Sequence, residues 1–391
     1  METRGRKTVN RVGDGKICNF VLKFANMPKS EVETGHQGGS RTQPSLFGQK
    51  HSSRNYSDPY CWGKNQFNSS FPASLVAYMF SKGVAPVYIK TNDKNEVGRE
   101  YIHADKLLGI NPLDGNAFYN FEAGYTPFEK YYSGKRESID LVMVKRDENV
   151  PLGGFEIKLT ALPDNTTKKL SEENYGCEIV VRPPTICFLV CSICSNYDTD
   201  ELKFRLRKLL SGVPKVNRWE EIEEVARVYD TIEQAVMNVA SDMSDKQRPL
   251  LIQPVWKTLG GKMVLAEDCL DVFAWSDLAV LQMCVQEPCD GRTLTRFHRT
   301  IVWVYKMLFE FIDYGIFDYM RIIKNHSYGY ANDKAFALPG RKSRHFLACP
   351  ELFHPRVSKY EIKNIILGGG QDLLSPERRL DAAIVNSPDL F

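Results

Sequence analysis

Between Ser138 and Thr160 two apolar runs, SIDLVMV and FEIKLT, are joined by the polar stretch KRDENVPLGG. Apolar, β-branched runs bounded by Asp, Asn, Pro and Gly specify a β-hairpin. In its second strand Phe155, Ile157 and Leu159 point one way and Glu156, Lys158 and Thr160 the other, because strand side chains alternate with period two. Asp140, at the head of the first strand, shares a face with Val142 and Val144. Antiparallel pairing can then bring Asp140 beside the face that carries Glu156 and Lys158. A chain with this hairpin must accommodate three ionisable groups on one face of a sheet.

Two carboxylates a few ångströms apart repel unless a proton or a cation lies between them. A divalent ion that prefers oxygen is the natural occupant. Mg2+ suits a set made of one or two carboxylates, a backbone carbonyl such as that of Ile157, and water. Lys158, two residues beyond Glu156, is placed to orient a water and to neutralise charge on a phosphate. Asp140, Glu156 and Lys158 are therefore the candidate catalytic residues of a phosphodiester hydrolase, with Asp140, Glu156 and the Ile157 carbonyl as candidate metal ligands. The alternative is a cross-strand ion pair without chemistry. Glu361 and Lys363 repeat the E-x-K spacing, but no apolar strand bearing an Asp stands at hairpin distance, and that copy reads as surface charge.

The 391 residues are 43% hydrophobic and 25% charged, an ordinary globular composition with room for two domains. No apolar run approaches the ~18 residues of a membrane span, and METRGRKTVNRVGDGK lacks the apolar stretch of a secretory signal. A cytoplasmic protein without a membrane partner is expected. The ten cysteines are scattered, several within apolar runs such as TICFLVCSICS, which suits free buried thiols in a reducing compartment. Cys191 and Cys194 form one C-x-x-C, but no second pair follows at zinc-ligand spacing. Charge is unevenly spread. Residues 1–60 hold 10 Lys+Arg against 5 Asp+Glu, residues 291–391 hold 15 against 10, and the middle holds 26 against 33. Basic ends (+5 each) around an acidic centre (−7) suit polyanion-gripping arms about a cation-binding middle, or an uneven solvated surface.

Residues 1–60 read as a basic, partly flexible arm. A helix ending near Gly83, the strand APVYIK, the hairpin, an almost continuously apolar strand CEIVVRPPTICFLVCSI and a helix DTDELKFRLRKLLSG then predict an α/β core within 61–215. Asp198 or Thr199 is the expected cap of that last helix and Gly212 its expected end. Residues 216–391 read as mainly helical. Trp219, Ile222, Val225, Tyr229, Ile232, Val236 and Val239 recur at helical spacing, and an aromatic-rich helical region from Thr293 breaks at Gly315.

SIDLVMV followed by FEIKLTALPD resembles the PD-(D/E)XK nuclease superfamily. EIKLTALPDNTT with the downstream VVRPPTICF is similar to the HindVP family of type II restriction endonucleases, from about residue 50 onward. The resemblance implies an α/β fold, a restriction-endonuclease-like core with a central mixed β-sheet flanked by helices, plus a largely helical C-terminal region for recognition and dimerisation. It implies Asp140 and Glu156 as metal ligands, Lys158 as the catalytic lysine and Mg2+ as the cofactor. Ser138-Ile139 stands where the superfamily name leads one to expect a proline before the aspartate. The implied substrate is double-stranded DNA, cut by a homodimer at a short palindrome of the GRCGYC type to leave 5′-phosphates. A cognate DNA methyltransferase is expected in the same restriction-modification system, though not as a stable partner. A structure-directed repair nuclease of the same fold and a non-catalytic DNA-binding protein are the alternatives.

For DNA contact the candidates are Lys168 and Lys169 in LPDNTTKKLSEENYG, Arg182 before Pro183-Pro184, and Arg341, Lys342 and Arg344 in GRKSRHF. Basic side chains on such loops suit phosphates, and arginine can read guanine in the major groove. Glu129 and Glu137 are read as solvated carboxylates or as additions to the metal site. His298 is expected on a helix surface, and the aromatics of 303–319 in the core or a dimer interface.

Overall fold

A computed structural model describes residues 75–76, 79–80, 83–111, 116–123, 128–135, 137–145, 150–158, 178–256, 258–259, 262–263, 270–285, 289–329 and 336–339. The strands are β1 (Val87–Thr91), β2 (Val97–Tyr101), β3 (Ala117–Ala123), β4 (Ile139–Lys145), β5 (Val150–Ile157), β6 (Glu178–Val181), β7 (Pro249–Trp256), β8 (Thr258–Leu259), β9 (Lys262–Met263), β10 (Leu270–Ser276) and β11 (Phe336–Pro339). The α-helices are α1 (Ala104–Leu108), α2 (Pro183–Cys194), α3 (Asp200–Leu210), α4 (Ile222–Asp242), α5 (Asp277–Gln282), α6 (Arg296–Tyr314) and α7 (Tyr319–Asn325). Among them no helix is long and apolar enough to cross a membrane.

Seven strands make one mixed sheet in the order β2-β1-β10-β7-β5-β4-β3. The expected hairpin is its β4–β5 pair, antiparallel with Leu141 opposite Phe155 and Val142 opposite Gly154. A bulge between Met143 and Val144 takes up the slip introduced on the way to Pro151, a residue that has no N–H for the ladder. On its other side β5 runs parallel to β7, Glu156 beside Leu251 and Ile157 beside Ile252. The sheet is thus the mixed, helix-flanked α/β architecture that the sequence predicts.

Period-two alternation divides the sheet residues between two buried faces. Ile89, Val142, Val144, Leu251, Phe273 and Trp275 join one core cluster with apolar residues of α2, α4, α5 and α6. Tyr88, Leu141, Met143, Phe155 and Ile252, of opposite parity, are also buried. A strand sealed on both faces is apolar almost throughout, which is why the charged residues of β4 and β5 stand out.

Three expectations need correction. The apolar run after residue 177 is a short strand, β6, followed by the buried helix α2. Unbroken hydrophobicity does not distinguish a buried strand from a buried helix. The deciding signal is Pro183-Pro184, which suits a first helical turn because neither residue has an N–H to satisfy. The Arg182 N–H donates to the Thr185 hydroxyl, and the Thr185 N–H to the Arg182 carbonyl. The expected boundary at 215 does not divide the fold either, since β7 and β10 lie inside the central sheet between β5 and β1. His298, finally, is buried. Its Nδ1 accepts from the Thr295 N–H at 3.2 Å, and its ring lies 4.4 Å from that of Tyr229.

The other helices follow their sequence signals. Thr199 caps α3 by accepting from the Leu202 N–H, and Val225, Tyr229, Ile232, Val236 and Val239 are the buried stripe of α4. Gly315 ends α6 at φ 74°, a left-handed conformation that glycine adopts without steric cost. Trp303, Tyr305, Phe311, Phe317 and Tyr319 are core residues, whereas Tyr314 is exposed.

Asp277, wholly buried at the start of α5, fastens the end of the sheet to α2. Its Oδ2 accepts from the Ser192 hydroxyl at 2.6 Å, and its Oδ1 accepts from the backbone N–H groups of Arg248 and Leu278 at 3.1 and 2.8 Å. Burial outweighs these bonds and pushes its pKa from 3.8 up to about 6. A carboxyl whose pKa is raised on folding binds its proton more tightly in the folded state. Its contribution to stability is therefore greatest at low pH and declines as pH rises from about 4 to above about 6. Asp277→Asn keeps an acceptor for both N–H groups and removes the titration. Melting temperatures of the two proteins between pH 4 and pH 7 should diverge, wild type declining relative to the variant; parallel curves would refute this account.

Candidate active site

Asp140, Glu156 and Lys158 are 7%, 5% and 4% exposed, so burial has been imposed on three groups that prefer water. Continuing the β4–β5 register by one step sets Asp140 opposite Glu156. Here the ladder opens. Asp140 Oδ2 accepts from the Ile157 N–H at 2.7 Å, and the Lys158 N–H donates to the Ile252 carbonyl at 2.7 Å. The hairpin therefore splays where β5 turns from β4 toward β7, and a carboxylate fills the gap that a backbone carbonyl would otherwise occupy.

Lys158 Nζ lies 2.6 Å from Glu156 Oε2, and both side chains are buried. Such a pair costs desolvation on each ion and is held only where geometry and further bonds offset that cost. With Asp140 and Glu156 ionised and Lys158 protonated, the three groups leave one net negative charge in a site nearly closed to water. Sheet parity turns all three to the face that carries Val142, Val144 and Leu251, opposite Phe155 and Ile157.

The remaining candidates are dispersed. Glu137 is held by the Tyr319 hydroxyl at 2.7 Å and by Lys135 Nζ at 3.0 Å, tying it to α7. Glu129 stands in a single 3-10 turn, Glu129–Tyr131. Arg182, half-buried, is the residue that caps α2. Thr160, Lys168, Lys169, Arg341, Lys342, Arg344, Glu361 and Lys363 lie outside the described residues. The β6–β11 ribbon does fix where two of these segments attach: Glu178 pairs with Pro339, so the chain enters β6 and leaves β11 at the same end.

Cys187, Cys191 and Cys194 line one side of α2 as buried free thiols, and burial raises the pKa of each. Among the described residues no three His, Cys, Asp or Glu side chains cluster as metal ligands. One polar residue at the sheet centre was not singled out in the sequence. Gln253, in the middle of PLLIQPVW, is 1% exposed, and its Oε1 accepts from Trp275 Nε1 at 3.3 Å. A lone amide inside an otherwise apolar strand was the signal available.

The model of the HindVP restriction endonuclease family matches residues 62–391 of the chain. The chain belongs to the HindVP restriction endonuclease family. Two curated relatives agree. The type II restriction enzyme HgiDI of Herpetosiphon aurantiacus is 39% identical over 353 residues, 89% of this chain and 97% of that protein. The probable type II restriction enzyme HindVP of Haemophilus influenzae is 39% identical over 354 residues, 89% of this chain and 95% of its own. No solved structure matches. This HindVP-family protein is thus a restriction endonuclease by family, and the splayed β4–β5 hairpin lies within the matched region.

The charge balance of the hairpin can be measured without DNA. In this HindVP-family enzyme Asp140→Asn removes one negative charge and keeps an oxygen for the Ile157 N–H. Lys158→Met strands Glu156 without its cation, a loss that typically costs about 3–5 kcal/mol. In EDTA, Asp140→Asn should melt at or above the wild-type temperature and Lys158→Met several degrees below it. The reverse order in calorimetry would mean that the site does not carry excess negative charge.

Proposed function

We propose that the protein is a Mg2+-dependent type II restriction endonuclease of the PD-(D/E)XK kind, hydrolysing double-stranded DNA at a short palindrome. The observation that carries this reading is the convergence of Asp140, Glu156 and Lys158 on one sheet face at the splayed end of a hairpin, within a restriction endonuclease family. Both relatives are named type II restriction enzymes, one of them as probable. A palindromic site suits a two-fold homodimer, since each protomer meets an equivalent half-site.

The donor set fits a hard divalent cation. Two buried carboxylates opposed by one ammonium leave a negative charge to be neutralised, and two protein carboxylates are what Mg2+ commonly takes. Asp140, Glu156 and the Ile157 carbonyl would hold it, leaving other positions to water and phosphate oxygens. When bound, the ion would neutralise charge on the phosphate and make water more acidic. Lys158, fixed by Glu156 on one side and by its backbone bond to β7 on the other, supplies a positive charge at a set position for the phosphate as charge builds on it. Water adds to phosphorus in line with O3′, the P–O3′ bond breaks, and a proton passes to the departing 3′-oxygen, leaving a 5′-phosphate.

Large, fully sequenced, unmethylated phage DNA incubated with the purified protein should give discrete fragments in Mg2+ and none in EDTA, and their ends would map the site. A smear would favour a structure-directed nuclease, and intact DNA under every divalent metal a non-catalytic binding protein. Glu156→Gln and Lys158→Ala should each lower the cleavage rate by about 10³-fold or more while DNA binding persists.

A further inference from the structure

The two buried carboxylates are held by different kinds of donor. Asp140 Oδ2 accepts from the backbone N–H of Ile157 at 2.7 Å, a neutral group fixed in a strand. Glu156 Oε2 lies 2.6 Å from Lys158 Nζ, a full positive charge at the end of a flexible four-carbon stem. Residues two apart leave the same face of a strand about 6.6 Å from one another, so the lysine stem lies back along its own strand to reach the carboxylate. With the Lys158 and Glu156 side chains only 4% and 7% exposed, water and salt screen this pair little.

A cation held by Asp140 and Glu156 would meet these two donors unequally. The Ile157 N–H can stay on Asp140, because an ionised carboxylate accepts several bonds and the N–H carries no net charge. The ammonium neutralises the charge that would attract the ion, and at a buried oxygen it repels a second cation strongly. Lys158 and a divalent cation are thus competitors for Glu156. What relieves the competition is an anion that shares the ammonium. In a site that handles phosphodiesters that anion is a phosphate, and a lysine with three N–H donors can reach it while its backbone stays bonded to Ile252.

We propose that Lys158 makes cation binding conditional on DNA: it holds down the affinity of Asp140 and Glu156 for a divalent ion until a DNA phosphate takes up the charge of the ammonium. The proposal rests on the nuclease reading of these three residues, and its test keeps the two apart. Linkage requires the coupling to run both ways, so the cation tightens DNA binding by the factor by which DNA tightens cation binding.

Calorimetric titration with Ca2+, which also takes oxygen ligands, reads this coupling independently of cleavage. Without DNA, Lys158→Met should bind Ca2+ about 10-fold or more tighter than wild type, and Lys158→Arg, which keeps the charge, should not. A duplex carrying the mapped site should raise the Ca2+ affinity of wild type about 10-fold or more and that of Lys158→Met by less, and Ca2+ should tighten duplex binding in the same proportions. A Lys158→Met protein that binds Ca2+ no more tightly than wild type, or that gains as much from the duplex, would overturn the proposal while leaving the nuclease reading in place. Asp140→Asn and Glu156→Gln test that reading itself. If both still bind Ca2+ as wild type does, or if neither wild type nor Lys158→Met binds Ca2+ even with the duplex, these carboxylates hold no cation and the reading falls together with the proposal. Should Lys158→Met fail to fold in EDTA, Lys158→Gln carries the same comparison, because its amide is neutral and can still donate to Glu156.

Discussion

Like charges buried together in a sheet must be compensated, and most of the local geometry follows from how this chain does so. Asp140 replaces a missing ladder carbonyl by accepting from the Ile157 N–H, so one carboxylate is bonded to the strand that carries the other. Glu156 is paired to Lys158, whose own backbone is bonded to Ile252 of the next strand. Neither tie suffices alone, because a buried ion that loses its partner is worse than none. The splay between β4 and β5 and the burial of the three side chains are aspects of one arrangement. The sheet is given shape by its chemistry as well as by its apolar residues.

Support for that arrangement comes from distant parts of the chain. The segment leading into β4 is stitched to the corner between α6 and α7: Ser133 donates to the Phe317 carbonyl at 2.9 Å, Phe317 to the Tyr131 carbonyl at 3.0 Å, and Tyr319 to Glu137. Tyr131 packs edge-on against Phe311, and Tyr132 against Phe188 and Tyr319. Glu137, three residues before Asp140, is therefore a fastening for the site and is itself held by two partners.

The hairpin was legible because two-fold alternation and a polar turn are local signals, and charges inside apolar strands violate the pattern conspicuously. The same locality explains the helices: the Thr199 cap, the stripe of α4 and the break at Gly315 each depend on residues within a turn or two. What pairing brings together over long separations was not legible. β7 and β10 contain Pro249, Pro254 and Asp271 among their apolar residues and lie about 100 residues after the hairpin, so nothing near them announces membership of the central sheet. Missing them displaced the domain boundary and hid Gln253, whose bond to Trp275 exists only because β7 pairs with β10. The helical character of α2 was hidden for another reason. Complete burial erases periodicity, and only Pro183-Pro184 was left to mark a helix start.

The parallel pairing of β5 with β7 also orders events in time. Between Lys158 and Ile252, which share a backbone hydrogen bond, the chain must make the whole α2–α3–α4 excursion before returning. A nascent chain that has emerged only as far as α4 possesses both carboxylates and the lysine but lacks the strand that seats the lysine, and non-local pairings of this kind form late. In this member of a restriction endonuclease family Asp140, Glu156 and Lys158 are all translated early, yet the sheet that holds them is complete only when β10 has joined β7 to β1.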